Sequence, residues 1–242
     1  MSPTAALKPL LADIVGAAHV RDDDAARALH ASDIGGTGSG RVVLVVAPGS
    51  TDELSRVVAA ATQAGCAVAP RGAGMSYTAG YVPAHPRTMA IDTTRMNRVL
   101  EVDPKDMTVT VEAGCSWRAL LEALAPRGLR TPFWGTMSGI HATVGASVSQ
   151  LTAMLGAGHH GTASESVVAM TVVLADGRVI RTGARGAGGQ SPFYRHYGPD
   201  VAGLFCGDCG AFGVKAEITL RLMRWPGPDG GGGGVAKTGE AV

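Results

Sequence analysis

Pro70-Arg-Gly-Ala-Gly-Met-Ser-Tyr-Thr-Ala-Gly80 is the stretch on which the reading of this chain turns. It follows a short apolar run, Cys66-Ala-Val-Ala69, that reads as a buried strand. Gly72, Gly74 and Gly80 then fall within nine residues, interleaved with Ser76 and Thr78. Glycine admits positive φ and lets a ligand come close to the backbone. Consecutive amides in such a loop form an anion-binding concavity whose usual guest is phosphate. No Gly-Lys-Ser/Thr follows, so this is not a P-loop; the dinucleotide fingerprint is also excluded, because its third glycine is missing at the required spacing and no helical pattern follows directly. In isolation such a segment is a tight surface turn, so its meaning rests on the sequence around it.

Immediately upstream, Arg41-Val-Val-Leu-Val-Val-Ala47 is an apolar strand turned by Pro48-Gly49. Ser50-Thr-Asp-Glu53 has capping-box form, Leu54, Val57, Val58 and Ala61 share one face of the helix that follows, and Gly65 stands at C′. Strands 41–47 and 66–69 are therefore predicted to be parallel, joined by a right-handed crossover. That puts the glycine loop at the carboxyl end of a strand, where open α/β sheets hold ligands. Further upstream, residues 5–31 carry helical periodicity, broken near Gly16 and at Arg21-Asp-Asp-Asp24, and Gly35-Gly-Thr-Gly-Ser-Gly40 reads as a flexible connector.

Downstream, Thr88-Met-Ala-Ile-Asp92 reads as a strand, and hairpins are predicted across Pro104-Lys-Asp106 and Asp176-Gly177. Ser116 caps a helix whose buried face is Trp117, Leu120, Leu121 and Leu124, ended at Gly128. A second Gly/Ser/Thr-rich stretch runs from Gly135 to Gly161, a short helix is expected within 199–213, and 214–222 alternates as a half-buried strand. The chain reads as α+β, with two α/β layers, one mostly before residue 97 and one after it. Trp225-Pro-Gly-Pro-Asp229 and the five glycines at 230–234 cannot bury a core, so the tail reads as disordered.

Composition narrows the function classes. The 242 residues carry 21 basic and 20 acidic side chains, a net charge of +1, and no basic block, which argues against nucleic acid or an anionic membrane as partner. No apolar run is long enough to span a bilayer, and Asp13 interrupts the only apolar stretch near the N-terminus, so a signal peptide is not expected. The four cysteines do not form a disulfide framework in a chain of this size, which points to a reducing, cytoplasmic setting. The 35 glycines, about twice the usual share, concentrate in loops after strands and suggest ligand binding through the backbone.

Six motifs occur in one order: Val45-Val-Ala-Pro-Gly-Ser-Thr-Asp-Glu-Leu54, Pro70-Arg-Gly-Ala-Gly-Met-Ser76, Val111-Glu-Ala-Gly114, Thr143-Val-Gly-Ala146, Thr171-Val-Val-Leu-Ala-Asp-Gly177 and Gly207-Asp-Cys-Gly-Ala-Phe-Gly-Val214. Together they resemble the PCMH-type FAD-binding domain of the vanillyl-alcohol oxidase and p-cresol methylhydroxylase flavoprotein family. Within it, the likeness is to FAD-linked oxidases of the glycolate oxidase and D-lactate dehydrogenase type. The resemblance implies two α/β subdomains with FAD between them over residues 38–224, preceded by a helical lead-in (1–37) and followed by the glycine-rich tail (225–242).

By position, the resemblance implies that the loop formed by Pro70, Arg71, Gly72, Ala73, Gly74, Met75, Ser76 and Tyr77, with Gly80, cradles the pyrophosphate through backbone amides. Thr136, Met137, Ser138, Gly139, Thr143, Gly145, Ala146 and Gln150 would line the ribityl chain and flavin ring. Gly161, Val167 and Val214 would meet the adenine end or the flavin edge through main-chain groups. Family members often link FAD to a histidine at the place held here by Met75, and doubly linked relatives carry a cysteine where 136–150 has none. FAD is therefore expected to be non-covalent.

The activity implied is hydride transfer from an alcohol or 2-hydroxy acid to flavin N5. Relatives follow this domain with a substrate (cap) domain, which the chain is expected to lack, making a partner subunit that supplies one an expected partner beside FAD and a small-molecule substrate. The alternative, from a different class, is an FAD-binding subunit or truncated module with no turnover of its own.

Other constellations compete less well. Cys206-Gly-Asp-Cys209 has half-knuckle or redox spacing, but zinc wants four ligands and Cys66 and Cys115 form no second pair. His159 and His160 are adjacent and point apart on any regular element, which argues against shared ligation. Arg195-His-Tyr197 is a possible carboxylate binder or a solvated approach to a helix.

Overall fold

Residues 3–225 are described in the computed structural model, apart from positions 134, 137, 154, 189, 190, 193 and 197. The first layer consists of α1 (Pro3–Val15), β1 (Val20–Arg21), α2 (Asp24–His30), β2 (Val42–Val46), α3 (Thr51–Gln63), β3 (Ala67–Arg71) and β4 (Thr88–Asp92). Its sheet runs β1-β2-β4-β3. Strands β2 and β3 are parallel as predicted, but they are not neighbours: β4 lies between them and pairs in parallel with both. Residues Leu44 and Val46 face Leu54, Val57 and Val58 of α3 and Leu7 and Leu11 of α1, while Val42 and Val45 face Ala26 of α2 on the other side. Each Leu or Val so buried contributes roughly 1.5–3 kcal/mol. At the start of α3 the Ser50 hydroxyl accepts from the Glu53 amide (3.1 Å), and the Glu53 carboxylate accepts from the Gly49 amide (2.7 Å).

The second layer holds β5 (Val99–Asp103), β6 (Thr108–Glu112), α4 (Trp117–Leu124), α5 (Val144–Ser149), β7 (Val167–Val173), β8 (Val179–Arg181) and β9 (Val214–Arg221). Its sheet is antiparallel throughout, in the order β8-β7-β9-β6-β5. Leu120 and Leu124 of α4 and Val144 and Val148 of α5 pack on Val109, Val111, Met170 and Ile218. Strand β9 ties the layers together. Its Val214 and Ala216 belong to the first core, whereas Ile218 and Leu220 belong to the second.

One reading of the sequence is corrected. The run Gly35–Gly40 is not a free connector. Ser32–Asp33 and Gly36–Thr37 pair as a small antiparallel ribbon, and the segment docks along residues 76–85. The Gly40 amide donates to Pro83 O (2.8 Å) and the Arg41 amide to His85 O (3.1 Å). A Cβ at Gly38 would overlap the Pro83 carbonyl, so close backbone approach explains this glycine better than flexibility does. The lead-in is also built into the first layer, since Val20 and Arg21 pair with Val46 and Val45. Of the tail, Trp225 donates its amide to Gly128 O, and 226–242 lie outside the described residues. Among the described residues no helix is long and apolar enough to cross a membrane.

Candidate functional site

Strand β3 ends on Arg71, whose guanidinium decides the path of the loop that follows. It is buried, donates to Leu29 O and to Ser32 O (3.3 Å), and sits 5.3 Å from the centroid of the Tyr81 ring. The loop folds over it. Gly74 has φ +73°, and a Cβ there would overlap Arg71 Nη2. A side chain is therefore excluded at this turn both by backbone conformation and by space. The amides of Ala73, Gly74 and Met75 have no hydrogen-bond acceptor among the described residues, and all three residues line a cavity of about 480 Å³. Three successive amides without internal acceptors, on residues that line one space, suit an anion-binding concavity.

The opposite wall of that cavity is formed by Thr136, Ser138, Thr143, Ala146, Ser147 and Gln150. Thr143 caps α5, its hydroxyl accepting from the Ala146 amide (3.3 Å). The chain before it is pinned to α4: the Trp117 amide donates to Ala142 O (3.1 Å), and its indole Nε1 donates to Ser147 Oγ (2.7 Å). Trp117 is thus a core residue, as expected, and also fixes a hydroxyl on the cavity wall. The two walls touch directly. Thr78 Oγ1 donates to Gln150 Oε1 (2.6 Å), and a Cβ on Gly72 would overlap the Thr143 hydroxyl.

A smaller space of about 40 Å³ shares Gly72, Tyr81, Ala146 and Gln150 with the larger one and adds Pro70, Arg71, Gly145, Val214 and Lys215. Here Lys215 forms an ion pair with Asp208, both side chains almost wholly buried (3% and 1% exposed). Burial holds the Lys215 pKa below its ordinary value, with the Asp208 carboxylate opposing the shift. Asp208 also accepts from the Gly210 amide (2.9 Å), so it organises the turn that carries Cys209. The Tyr81 hydroxyl is pushed up by burial, with the Arg71 charge acting against it. Among the described residues, three of the four non-glycine residues with positive φ, Ala79, Leu151 and Cys209, flank these spaces, the concentration of backbone strain that functional sites show.

Most of the residues singled out from the sequence therefore converge. Gly80 and Gly139 stand just behind the lining, against Gln150 and Trp117 respectively. Gly161 packs on Glu165, and Val167 is fully buried in the second core; neither lines either space. Met137 lies outside the described residues. Sequence reading missed Ile34, Tyr81 and the Lys215–Asp208 pair. For Lys215 the signal was present, a lysine within a strand whose neighbours are apolar, but its partner seven residues earlier was not legible.

Of the competing constellations, the histidine pair and Arg195 lie apart from this site, whereas Cys209 lines the smaller space. Cys206 donates to Ala202 O (3.4 Å) and Cys209 to Gln150 Oε1 (3.8 Å), and no group of three or more metal-ligating side chains occurs among the described residues. His159 and His160, with ring centroids 4.4 Å apart, line a separate surface depression with Arg130 and Leu155. Arg195 is held by Asp200 (2.9 Å) and by Ser164 O (2.7 Å), a structural pin.

Comparison with known proteins bears on the family and the fold. The profile of a family described as FAD binding domain matches residues 42–183. The glycolate oxidase subunit GlcD of Bacillus subtilis is 27% identical over 220 residues, 91% of this chain and 45% of that protein. The mitochondrial D-lactate dehydrogenase [cytochrome] of Arabidopsis thaliana is 31% identical, over 76% of this chain and 30% of its own length. Among solved structures, p-cresol methylhydroxylase with substrate bound superposes with a TM-score of 0.79 at 18% identity, covering 93% of this chain and 44% of that one. That last likeness concerns the fold. The chain spans less than half the length of each of these proteins.

Proposed function

The chain belongs to the FAD-binding domain family, and on that premise we propose that it holds FAD non-covalently between its two layers, as the cofactor-binding part of an oxidoreductase acting on an alcohol or 2-hydroxy acid. The observation that carries this reading is the meeting of segments 72–77 and 136–150 on opposite walls of one cavity, the first presenting consecutive amides without internal acceptors. The residues fit the group. The Ala73, Gly74 and Met75 amides offer donors to a pyrophosphate, and the missing Cβ at Gly74 keeps the loop closed over Arg71. Hydroxyls of Thr136, Ser138 and Thr143 and the Gln150 amide offer partners for the ribityl chain and the polar ring edge. Met75, whose side chain packs against the second core, stands where a linking histidine would be, and a thioether does not make that bond. When bound, FAD supplies the hydride acceptor and the electron relay.

The chain's own residues bind and orient. Among the described residues lining the larger cavity there is no carboxylate, imidazole or amine, and the titratable groups there are the phenols of Tyr77 and Tyr81; a more basic group to take the substrate hydroxyl proton would come from beyond these walls. This observation favours a second reading, a cofactor-binding module whose substrate machinery is supplied by a partner subunit. Anaerobic mixing of the FAD-loaded protein with glycolate or D-lactate distinguishes the two. Bleaching of the flavin band supports turnover by this chain, whereas a stable oxidised spectrum with FAD bound leaves the module.

A further inference from the structure

We propose that residues 29–41 form a strap that positions the cofactor loop, with Asp33 as its positioning residue; this rests on the FAD-binding reading above. The segment precedes residue 42, where the family match begins, yet it grips the loop at several points. From the loop side, the Arg71 guanidinium donates to Leu29 O and Ser32 O. From the strap side, the Ile34 amide donates to Ser76 O (3.0 Å). Asp33 closes the contact: Oδ1 accepts from the Gly35 and Gly36 amides (2.7 and 3.0 Å), and Oδ2 reaches across to accept from the Ala79 amide (2.7 Å). Ala79 is one of the strained residues, at φ +58°, so the carboxylate holds the loop's far end in a conformation that alanine rarely adopts. Gly35 passes so close to Tyr77 that an added Cβ would lie 2.9 Å from its carbonyl oxygen. Ile34, 64% exposed, is the strap residue that lines the larger cavity.

The amides of Ala73 to Met75 can be aimed at an anion only if both ends of their loop are fixed. Arg71 fixes the near end, and Asp33 with Ile34 fixes the far end. Strap docking and FAD binding then favour each other, because ordering done by one need not be done again by the other. Asp33 makes this contribution without touching the cofactor.

The test compares wild type with Asp33→Asn, in which one oxygen still accepts within the turn and the acceptor for Ala79 becomes a donor. Fluorescence titration with FAD is expected to show about tenfold weaker binding, the loss of one charge-assisted hydrogen bond, with a melting temperature close to wild type. Hydrogen exchange of peptides covering 30–41 is expected to slow when FAD is added. Wild-type affinity in Asp33→Asn, or exchange in 30–41 that ignores FAD, overturns the strap while leaving FAD binding intact. A wild-type protein that takes up no FAD overturns the functional reading and the strap with it.

Discussion

Two glycine-rich stretches, 35–40 and 70–80, look alike in composition and do opposite things with the same residue. In 70–80 it is Gly74 that serves conformation, while Gly72 and Gly80 allow close approach to Thr143 and Gln150. Gly74 turns at positive φ over a buried guanidinium and leaves neighbouring amides free to face a cavity. In 35–40 glycine serves proximity, because Gly38 lets two backbones pass where any side chain would strike the Pro83 carbonyl. The first stretch was legible as a binding loop because it follows a strand. The second, following a helix and lacking apolar residues, reads in sequence as slack. Glycine density marks places where the backbone is close to something, and only the fold says whether that is a ligand or another strand of chain.

The comparison can be broken from outside both stretches. Lys215→Met strands the Asp208 carboxylate in the far wall of the crevice and is expected to cost about 3–5 kcal/mol of global stability, read by denaturant unfolding. A loss below about 1 kcal/mol would mean that the pair is hydrated. Gly74→Val acts on the loop itself. It is expected to weaken FAD binding about a hundredfold or more, through a β-branched residue at positive φ and an overlap with Arg71; a fluorescence titration matching wild type would remove the loop from the site. Gly38→Val prises the strap away and is expected to weaken FAD binding only about tenfold, since the loop keeps its Arg71 anchor. Equal effects from the two valine variants would erase the distinction between conformation and proximity.

The smallest effect concerns the joint between α2 and β4. His30 Nε2 lies 3.5 Å from Asp92 Oδ2. Burial pushes the Asp92 carboxyl upward, but hydrogen bonds from His30 and Thr94 outweigh it and hold the pKa below its ordinary value. A carboxyl depressed in the folded state adds stability above its unfolded pKa, about 3.9, and that stability disappears as pH falls through the folded value. Asp92→Asn is therefore expected to cost about 1 kcal/mol at neutral pH and to lessen the loss of stability on acidification below pH about 4. An acid unfolding curve identical to wild type would show the pair to be idle.

How much was visible beforehand follows from the range of the interactions. Strands, caps and hairpins were readable because their signals are local: Ser50 and Glu53, Ser116, and Asp176-Gly177 all act within a few residues. The insertion of β4 between β2 and β3 was not, since register in a parallel sheet is set by contacts far apart in sequence. The candidate site was legible through its glycines and small hydroxyl residues, which have few structural reasons to cluster. Arg71 was placed in the loop, but its role as the post around which the loop folds depends on Leu29 and Ser32, some forty residues upstream. Lys215, at the start of β9, and Asp208, in the turn before it, are only seven residues apart, yet nothing local distinguishes a buried ion pair from two solvated charges.

The most direct test of the central claim is the absorbance spectrum of the protein after incubation with FAD and desalting, repeated on supernatant and pellet after acid precipitation. A flavin band that survives desalting and then leaves with the supernatant is the expected result, meaning tight binding without a covalent link at Met75. A protein that stays colourless after desalting would contradict the account, and a yellow pellet would contradict its non-covalent part.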